Sequence, residues 1–453
     1  MPPTNASAPV TEEVTAYDLR VTGVIPAELD GRYLRNGPNA LGLDDPGAAA
    51  LFLGTGMVHG VRLRDGRAEW YRNRWVRSAT VSQALGERPR PGPVFEGMDF
   101  AANTHVIGHA GRTLALVESG PRPYELTDEL ETTGPHDFGG TLPAGYAAHT
   151  KLDPRTGDLH AVTYRWGRPD AVEHVVVGAD GLVSSVREIP VTGGPMMHDF
   201  ALTGKYVILY DLPVIADMDA AMSGAAVPYA WDEAHGARLG LLPRDGTAVR
   251  WLDIEPCWIY HTLNAYDDGD QVVLDVVRYP QAFDMARFEG PATPTLDRFT
   301  VDLIGGEVDG QRLHDRAQEF PRVDERVVSA PHRYGYTAVS AAPPSGAEDL
   351  EELDDDAFGD VLLKHDLVRG TVETHAFGRD AAVGEAVFVP SAAGAAEDDG
   401  YVMAFVHDPV RGATDLVILA AQDFTGAPVA AVHLPVRVPL GFHGSWIPST
   451  DLS

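Results

Sequence analysis

Four histidines in this chain stand among apolar or aromatic neighbours. They are His149 in "GYAAHTKLDPRTG", His198 in "PMMHDFALTG", His261 in "CWIYHTLNAYDDGD" and His443 in "RVPLGFHGSWIP". An imidazole in such a setting either closes two hydrogen bonds inside a core or binds a metal through one nitrogen. The four are far apart in sequence, so no short-spacing zinc pattern applies. They can share one ion only where a fold brings distant strands to a single point. The chain has 17 histidines, and the others sit in plainer contexts. His160 follows a turn and reads as a strand residue half in water. His235 reads as loop, His365 and His375 lie in polar hairpin stretches, and His407 precedes an Asp-Pro turn.

The elements that would have to position the four are strands. Short β-rich runs joined by Asp, Asn and Gly turns recur along the chain, as in "GVRLRDGRAEWYRNRW", "LTGKYVILYDLPV", "YDDGDQVVLDVVRY" and "EDDGYVMAFVHD". Such turns between apolar runs are hairpin signals. Long helical periodicity is nearly absent. The acidic run "GAEDLEELDDDAFGD" fits a solvated loop better than a short helix. Many hairpins in one long chain predict a closed, all-β architecture with few free edges. A seven-bladed β-propeller fits best, at about 65 residues per blade, with loops and short helices capping one face. No Pro/Ser/Gly linker divides the chain, so residues 1–453 read as a single domain. In a propeller, distant strands do converge on one axis.

Charge and composition exclude other classes. Thirty-five basic residues against 66 acidic ones give a net charge of −31, which repels phosphate backbones and anionic surfaces. Nucleic acid is therefore excluded as a partner, although transient contact with a membrane surface is left open. The single cysteine, Cys257, allows no internal disulfide and fits a reducing compartment. The N-terminal "MPPTNASAPVTEEVTAYDLR" shows no basic segment followed by an apolar run, and no stretch is long and apolar enough to span a membrane. The expected compartment is the cytoplasm.

The motifs "GRYLRNGPNA", "GMVHGVRLRDGRAEWYRNRWVRS", "LALVESGPRPYELT", "AHTKLDP", "MMHDF", "HTLNAYDDGD", "EFPRVDER", "EDDGYV" and "GFHGSWIPS" occur in this order over nearly the whole chain. The set resembles the carotenoid cleavage oxygenases, whose members include apocarotenoid oxygenases, lignostilbene dioxygenases and the retinal pigment epithelium isomerase. The resemblance implies a seven-bladed propeller holding one Fe(II) on its axis through four histidines, matched here by His149, His198, His261 and His443. It also implies three glutamates behind the ligands, matched by Glu118, Glu319 and Glu385. A neutral imidazole that binds a metal through one nitrogen donates its other N–H, and a carboxylate is the strongest acceptor for it. Thr104 matches a threonine whose methyl crowds the metal in a bacterial relative.

The implied reaction is insertion of O₂ across one C=C bond of a small hydrophobic alkene or polyene, giving two carbonyl products without an organic cofactor. Relatives that cleave stilbenes carry a lysine directly before the glutamate matched by Glu118. This chain has Val117 there, which tilts the expectation toward apocarotenoids. Thr150 and Thr262 replace prolines common after the first and third histidines, and "LFLGTGMVHG" lacks the family's frequent Trp-Phe-x-Gly-Asp-Gly. Two alternatives stay open from sequence: a cleaver of stilbenes or phenylpropanoids on the same iron, and a metal-free propeller serving as a binding scaffold.

Overall fold

Tight Gly-containing turns fold the apolar runs onto each other. Asp65 and Gly66, both at positive φ (49° and 68°), join Thr55–Arg64 to Arg67–Trp75 in a two-residue hairpin. Ala110 and Gly111 (48° and 72°) do the same between His105–His109 and Arg112–Leu116. Positive φ at both central positions gives the turn a twist that matches its strands. The protein's structure, a computed structural model, describes residues 9–39, 41, 54–99, 102–165, 167–223, 225, 227–246, 248–283, 293–340, 358–378 and 380–449. Most of the acidic run at 346–360 lies outside the described residues; its last three residues open the strand Phe358–Asp366.

Among the described residues, seven antiparallel sheets of four or more strands follow one another along the chain, with one extra two-stranded ribbon, Val214–Ala216 with Tyr229–Trp231. They form a seven-bladed propeller. The first strands of blades II to VI are His105–His109, Thr150–Leu152, Phe200–Leu202, Trp258–Asp268 and Gln318–Arg322. Blade VII begins with Ala382–Val383 and Val387–Pro390. Blade I takes its first strand from the other end of the chain: Gly444–Pro448 pairs with Gly31–Asn39. In return, the N-terminal strand Arg20–Gly23 completes blade VII by pairing with Ala430–His433. Both chain ends therefore close the ring.

The core lies between blades rather than inside one of them. Leu34, Val58 and Trp70 of blade I pack on Val106, Ala115 and Tyr124 of blade II. Ile107 and Leu114 meet Leu159 and Val175, a large cluster spans blades III to V, and Leu263, Leu296 and Val323 join V to VI. Tyr336 and Leu362 meet Phe388 and Val402, and Tyr33 and Val61 return to Met403 and Leu416 of blade VII. A strand covered on both faces reads as a continuous apolar run. Thr55–Arg64 is buried at all but its last residue, whereas the outer strand Val308–His314 has no buried residue. Two short α-helices, Ala79–Ala84 and Met218–Met222, lie in connections between strands. Among the described residues no helix is long and apolar enough to cross a membrane.

Several plain-looking histidines prove buried. His160, expected half in water, is 3 % exposed, and His365, His375 and His407 are buried as well. His235 ends a short 3₁₀ turn with its Nε2 2.7 Å from Asp211. His160 Nδ1 lies 3.0 Å from His174 Nε2, and Arg244 and Arg187 approach the two outer ring nitrogens at 3.1 and 2.9 Å. Burial, and then Arg244, push His160 down to about 4; burial, then His160 and the two guanidinium groups, push His174 down to about 2. Flanking hydrogen bonds, invisible in sequence, allow these rings to be buried.

Two predictions follow from the ring. A Cβ at Gly31 would lie 2.5 Å from the Ile447 carbonyl oxygen and 2.7 Å from the Trp446 ring. Gly31→Ala should therefore loosen the closing strand and lower stability by about 1–3 kcal/mol in denaturant unfolding. The second concerns acid. His160 and His174 bind protons less readily folded than unfolded, so their contribution is fully present above the ordinary histidine value of about 6.5 and declines as pH falls toward 4. The melting temperature should fall over that interval, and less steeply in His160→Gln.

Candidate metal centre

The first strands of the blades bring the four histidines to one place. His149 immediately precedes Thr150–Leu152, His261 lies within Trp258–Asp268, and His443 immediately precedes Gly444–Pro448. His198 lies two residues before Phe200–Leu202. Neighbouring rings around the group are 4.4 Å (149–198), 5.3 Å (198–261), 4.7 Å (261–443) and 4.8 Å (149–443) apart between centroids. One nitrogen from each of His149, His261 and His443 lies within 4.8 Å of the others; His198 groups instead with His149 and Glu118.

All three glutamates lie behind this ring, and the geometry gives the pairing that spacing could not. Glu319 Oε2 is 2.6 Å from His261 Nδ1. Glu385 Oε1 is 2.9 Å from His443 Nδ1. Glu118 Oε1 is 2.5 Å from His198 Nδ1 and 3.4 Å from His149 Nε2. Glu319 and Glu385 are 3 % and 2 % exposed, so neither is a surface carboxylate. Each glutamate is itself held. Tyr164 donates its hydroxyl to Glu118 Oε2 (2.6 Å), Tyr279 donates to Glu319 Oε1 (2.9 Å), and Arg322 donates to Glu385 Oε2 (2.8 Å). The backbone N–H of Gly444 also donates to Glu385 (2.9 Å), and that of Phe320 to Glu319.

These contacts set the electrostatics. Burial opposes ionisation of Glu118, but His198 and His149 outweigh it and hold its carboxyl well below the usual range. Burial pushes His149 down to about 4 and His443 well below its ordinary value, so both rings are neutral. Burial also disfavours the cation at His261, yet Glu319 outweighs it and raises that ring.

The donor set fits a divalent cation. An imidazole whose Nδ1–H is given to a carboxylate presents a lone pair at Nε2. His261 Nε2 is buried and has no hydrogen-bond partner, whereas at His149 it is Nε2 that lies toward Glu118, at 3.4 Å. Lone pairs facing one another across a few ångströms repel unless a cation lies among them, and nitrogen-only sets of this type suit borderline transition metals.

Thr104 stands just before the strand His105–His109. Its carbonyl accepts from the backbone N–H of His443 (3.0 Å), and its hydroxyl donates to Asn103 (3.0 Å). Sequence reasoning passed over Tyr164, Tyr279, Arg322 and His105, whose ring lies 5.4 Å from that of His443. Nothing in their local patterns marks them, because each acts through a residue on another blade. Asp199 was also missed: it is 2 % exposed, accepts from Lys151 (3.1 Å) and from the backbone of Thr262 (2.9 Å). A lone acid directly after His198 was the available signal.

Comparison with known proteins bears on the same ring. The family described as retinal pigment epithelial membrane protein matches residues 7–448. A carotenoid cleavage oxygenase of Mycobacterium tuberculosis is 46 % identical, over 98 % of this chain and 96 % of that protein. An isoeugenol monooxygenase of Pseudomonas nitroreducens is 30 % identical, over 97 % of this chain and 96 % of that protein. Among solved structures, the cobalt-substituted apocarotenoid oxygenase of Synechocystis superposes with a TM-score of 0.86 at 26 % identity, covering 98 % of both chains. The lignostilbene dioxygenase of Pseudomonas brassicacearum gives 0.87 at 27 %, again with 98 % of both chains covered.

Proposed function

Because the chain belongs to the carotenoid cleavage oxygenase family, we propose that it is a dioxygenase that uses one Fe(II) to split a C=C bond of an apocarotenoid into two carbonyl products, with residues 1–453 acting as one propeller domain. The observation that carries this reading is the convergence of nitrogens from His149, His261 and His443 within 4.8 Å, with carboxylates behind the rings. His149, His198, His261 and His443 hold the iron as neutral ligands. Glu118, Glu319 and Glu385 keep the outward nitrogens protonated and fix the ring planes. That a relative of the same fold is described as cobalt-substituted supports a metal-dependent reading.

Bound there, Fe(II) supplies activation of O₂ toward an electron-rich double bond. The chain's own residues position and exclude. Tyr260 stands edge-on to His198 (5.1 Å) and Phe320 stacks beside His261 (5.6 Å), which keeps water from those sides of the ring. Thr104, tied through its carbonyl to His443, is assigned the methyl that crowds the metal and so restricts where reactants approach. Catalysis then rests on placing one double bond correctly rather than on proton transfer. The reading needs only a small hydrophobic alkene and O₂ as partners, and places the reaction in the cytoplasm.

Val117, 6 % exposed and adjacent to Glu118, supports a long apolar polyene. A phenolic stilbene needs a polar anchor at that position, and a valine offers none. A second reading has its own support in the isoeugenol monooxygenase and lignostilbene dioxygenase relatives: cleavage of a phenylpropanoid or stilbene on the same iron.

His261→Ala should lose bound iron and turnover while circular dichroism and the thermal transition show a folded propeller. Full iron content in that variant would remove His261 from the ligand set. Glu319→Gln keeps the size but weakens the acceptor, so metal affinity should drop about 10–100-fold. For the substrate, apocarotenals and hydroxystilbenes assayed side by side under air should differ in kcat/KM in favour of the apocarotenal. The stilbene's deficit is about 1.5–3 kcal/mol, the value of one charge-assisted hydrogen bond. Rapid cleavage of resveratrol or isoeugenol with no attack on apocarotenals would instead establish the second reading.

A further inference from the structure

The first strands of the blades enclose a cavity of about 280 Å³ that runs away from the histidine ring. Its inner end touches His149, His261 and His443. Its lining ends at Leu152, 37 % exposed, and at the exposed Glu325, so it reaches solvent. The lining mixes apolar side chains with charged ones: Lys151, Arg322 and Arg326 stand with Asp199, Asp324, Glu325 and Glu385, an excess of one carboxylate.

Two ion pairs line it near the ring: Arg322 with Glu385 behind His443, and Lys151 with Asp199. Asp199 follows His198, and its Oδ2 accepts from the backbone N–H of Thr262 (2.9 Å), the residue after His261. Lys151, two residues after His149, brings its Nζ to 2.9 Å from Asp199 Oδ1. Asp199 is thus anchored between the strands that carry three of the four histidines. Other approaches to the ring are walled by Val117, Tyr260 and Phe320, all buried. None of these three lines the cavity. A hydrated dication cannot cross such a wall without losing its water uncompensated. Along the cavity, carboxylate oxygens are placed to replace the hydration shell of such an ion stepwise.

We infer that this cavity is the path by which a divalent cation enters and leaves the histidine ring, and that Asp199 is the last oxygen ligand before the imidazoles, with Lys151 as the counter-charge displaced in passing. The inference rests on the metal-centre reading above. It differs from it in concerning rates, since a path changes entry and exit together and leaves their ratio alone.

The test uses the full chain stripped of metal by chelation, with Co(II) as the probe followed by its visible absorption. Association is measured by rapid mixing and dissociation by a chelator chase. Asp199→Asn should slow association and dissociation together, by about tenfold or more, as expected when a charge that concentrates the ion is removed. Leu152→Trp, at the exposed mouth and away from any ligand, should also slow both, and Lys151→Met should speed association. Unchanged association in both Asp199→Asn and Leu152→Trp would overturn the inference. So would weakened affinity at unchanged association rate, which would make Asp199 a support of the ring. Failure of the wild-type chain to take up Co(II) would overturn the metal-centre reading, and this inference with it.

Discussion

The hydrogen bond from a buried imidazole to a buried carboxylate decides how this propeller's centre is arranged. In the pairs His261–Glu319 and His443–Glu385, Nδ1 is given to the acid and Nε2 is left facing the axis. Neither partner is stable in that place alone: an unpaired carboxylate 2 % or 3 % exposed would be heavily penalised by burial. The pairs exist because each glutamate receives further donors, from Tyr279 and the backbone at Glu319, and from Arg322 and the backbone at Glu385. A full set of donors turns a buried charge from a liability into a fixed strut.

The propeller is what allows these donors to meet. They come from blades V, VI and I, and the blades are held in order by the apolar clusters between them. The backbone is bent to fit. Ser119 and Phe320, the residues directly after Glu118 and Glu319, both hold positive φ, 64° and 54°. Side chains seldom adopt that conformation, and its strain is tolerated where the surroundings over-determine it. The ring closure bears on the site as well, since the strand that joins the C-terminal end to blade I begins immediately after His443.

Two different surfaces approach the histidine ring. On one side stand Tyr260 and Phe320, and on the other a cavity whose largely apolar lining also carries Asp199 and Lys151. An apolar molecule and a hydrated cation make opposite demands on a protein, and the charges of Asp199 and Lys151 set the cavity apart from the aromatic wall.

Much of this was legible in the sequence. Gly-containing turns between apolar runs determine hairpins by local sterics, as at Asp65-Gly66 and Ala110-Gly111, and enough hairpins in one chain determine a closed all-β ring. The four histidines stood out because their type conflicts with their apolar neighbours, whereas the three glutamates came from the family resemblance, and Glu319 in particular is not marked by its own neighbours. Relations between blades were not legible. Which glutamate faces which histidine, the anchoring of those acids by Tyr164, Tyr279 and Arg322, and the burial of the His160–His174 pair between two guanidinium groups all depend on residues from other strands. Local sequence determines which groups can donate and accept. Only the packed ring determines which of them lie within hydrogen-bonding distance, because that distance is set by the sum of all the blade contacts and not by any single stretch of chain.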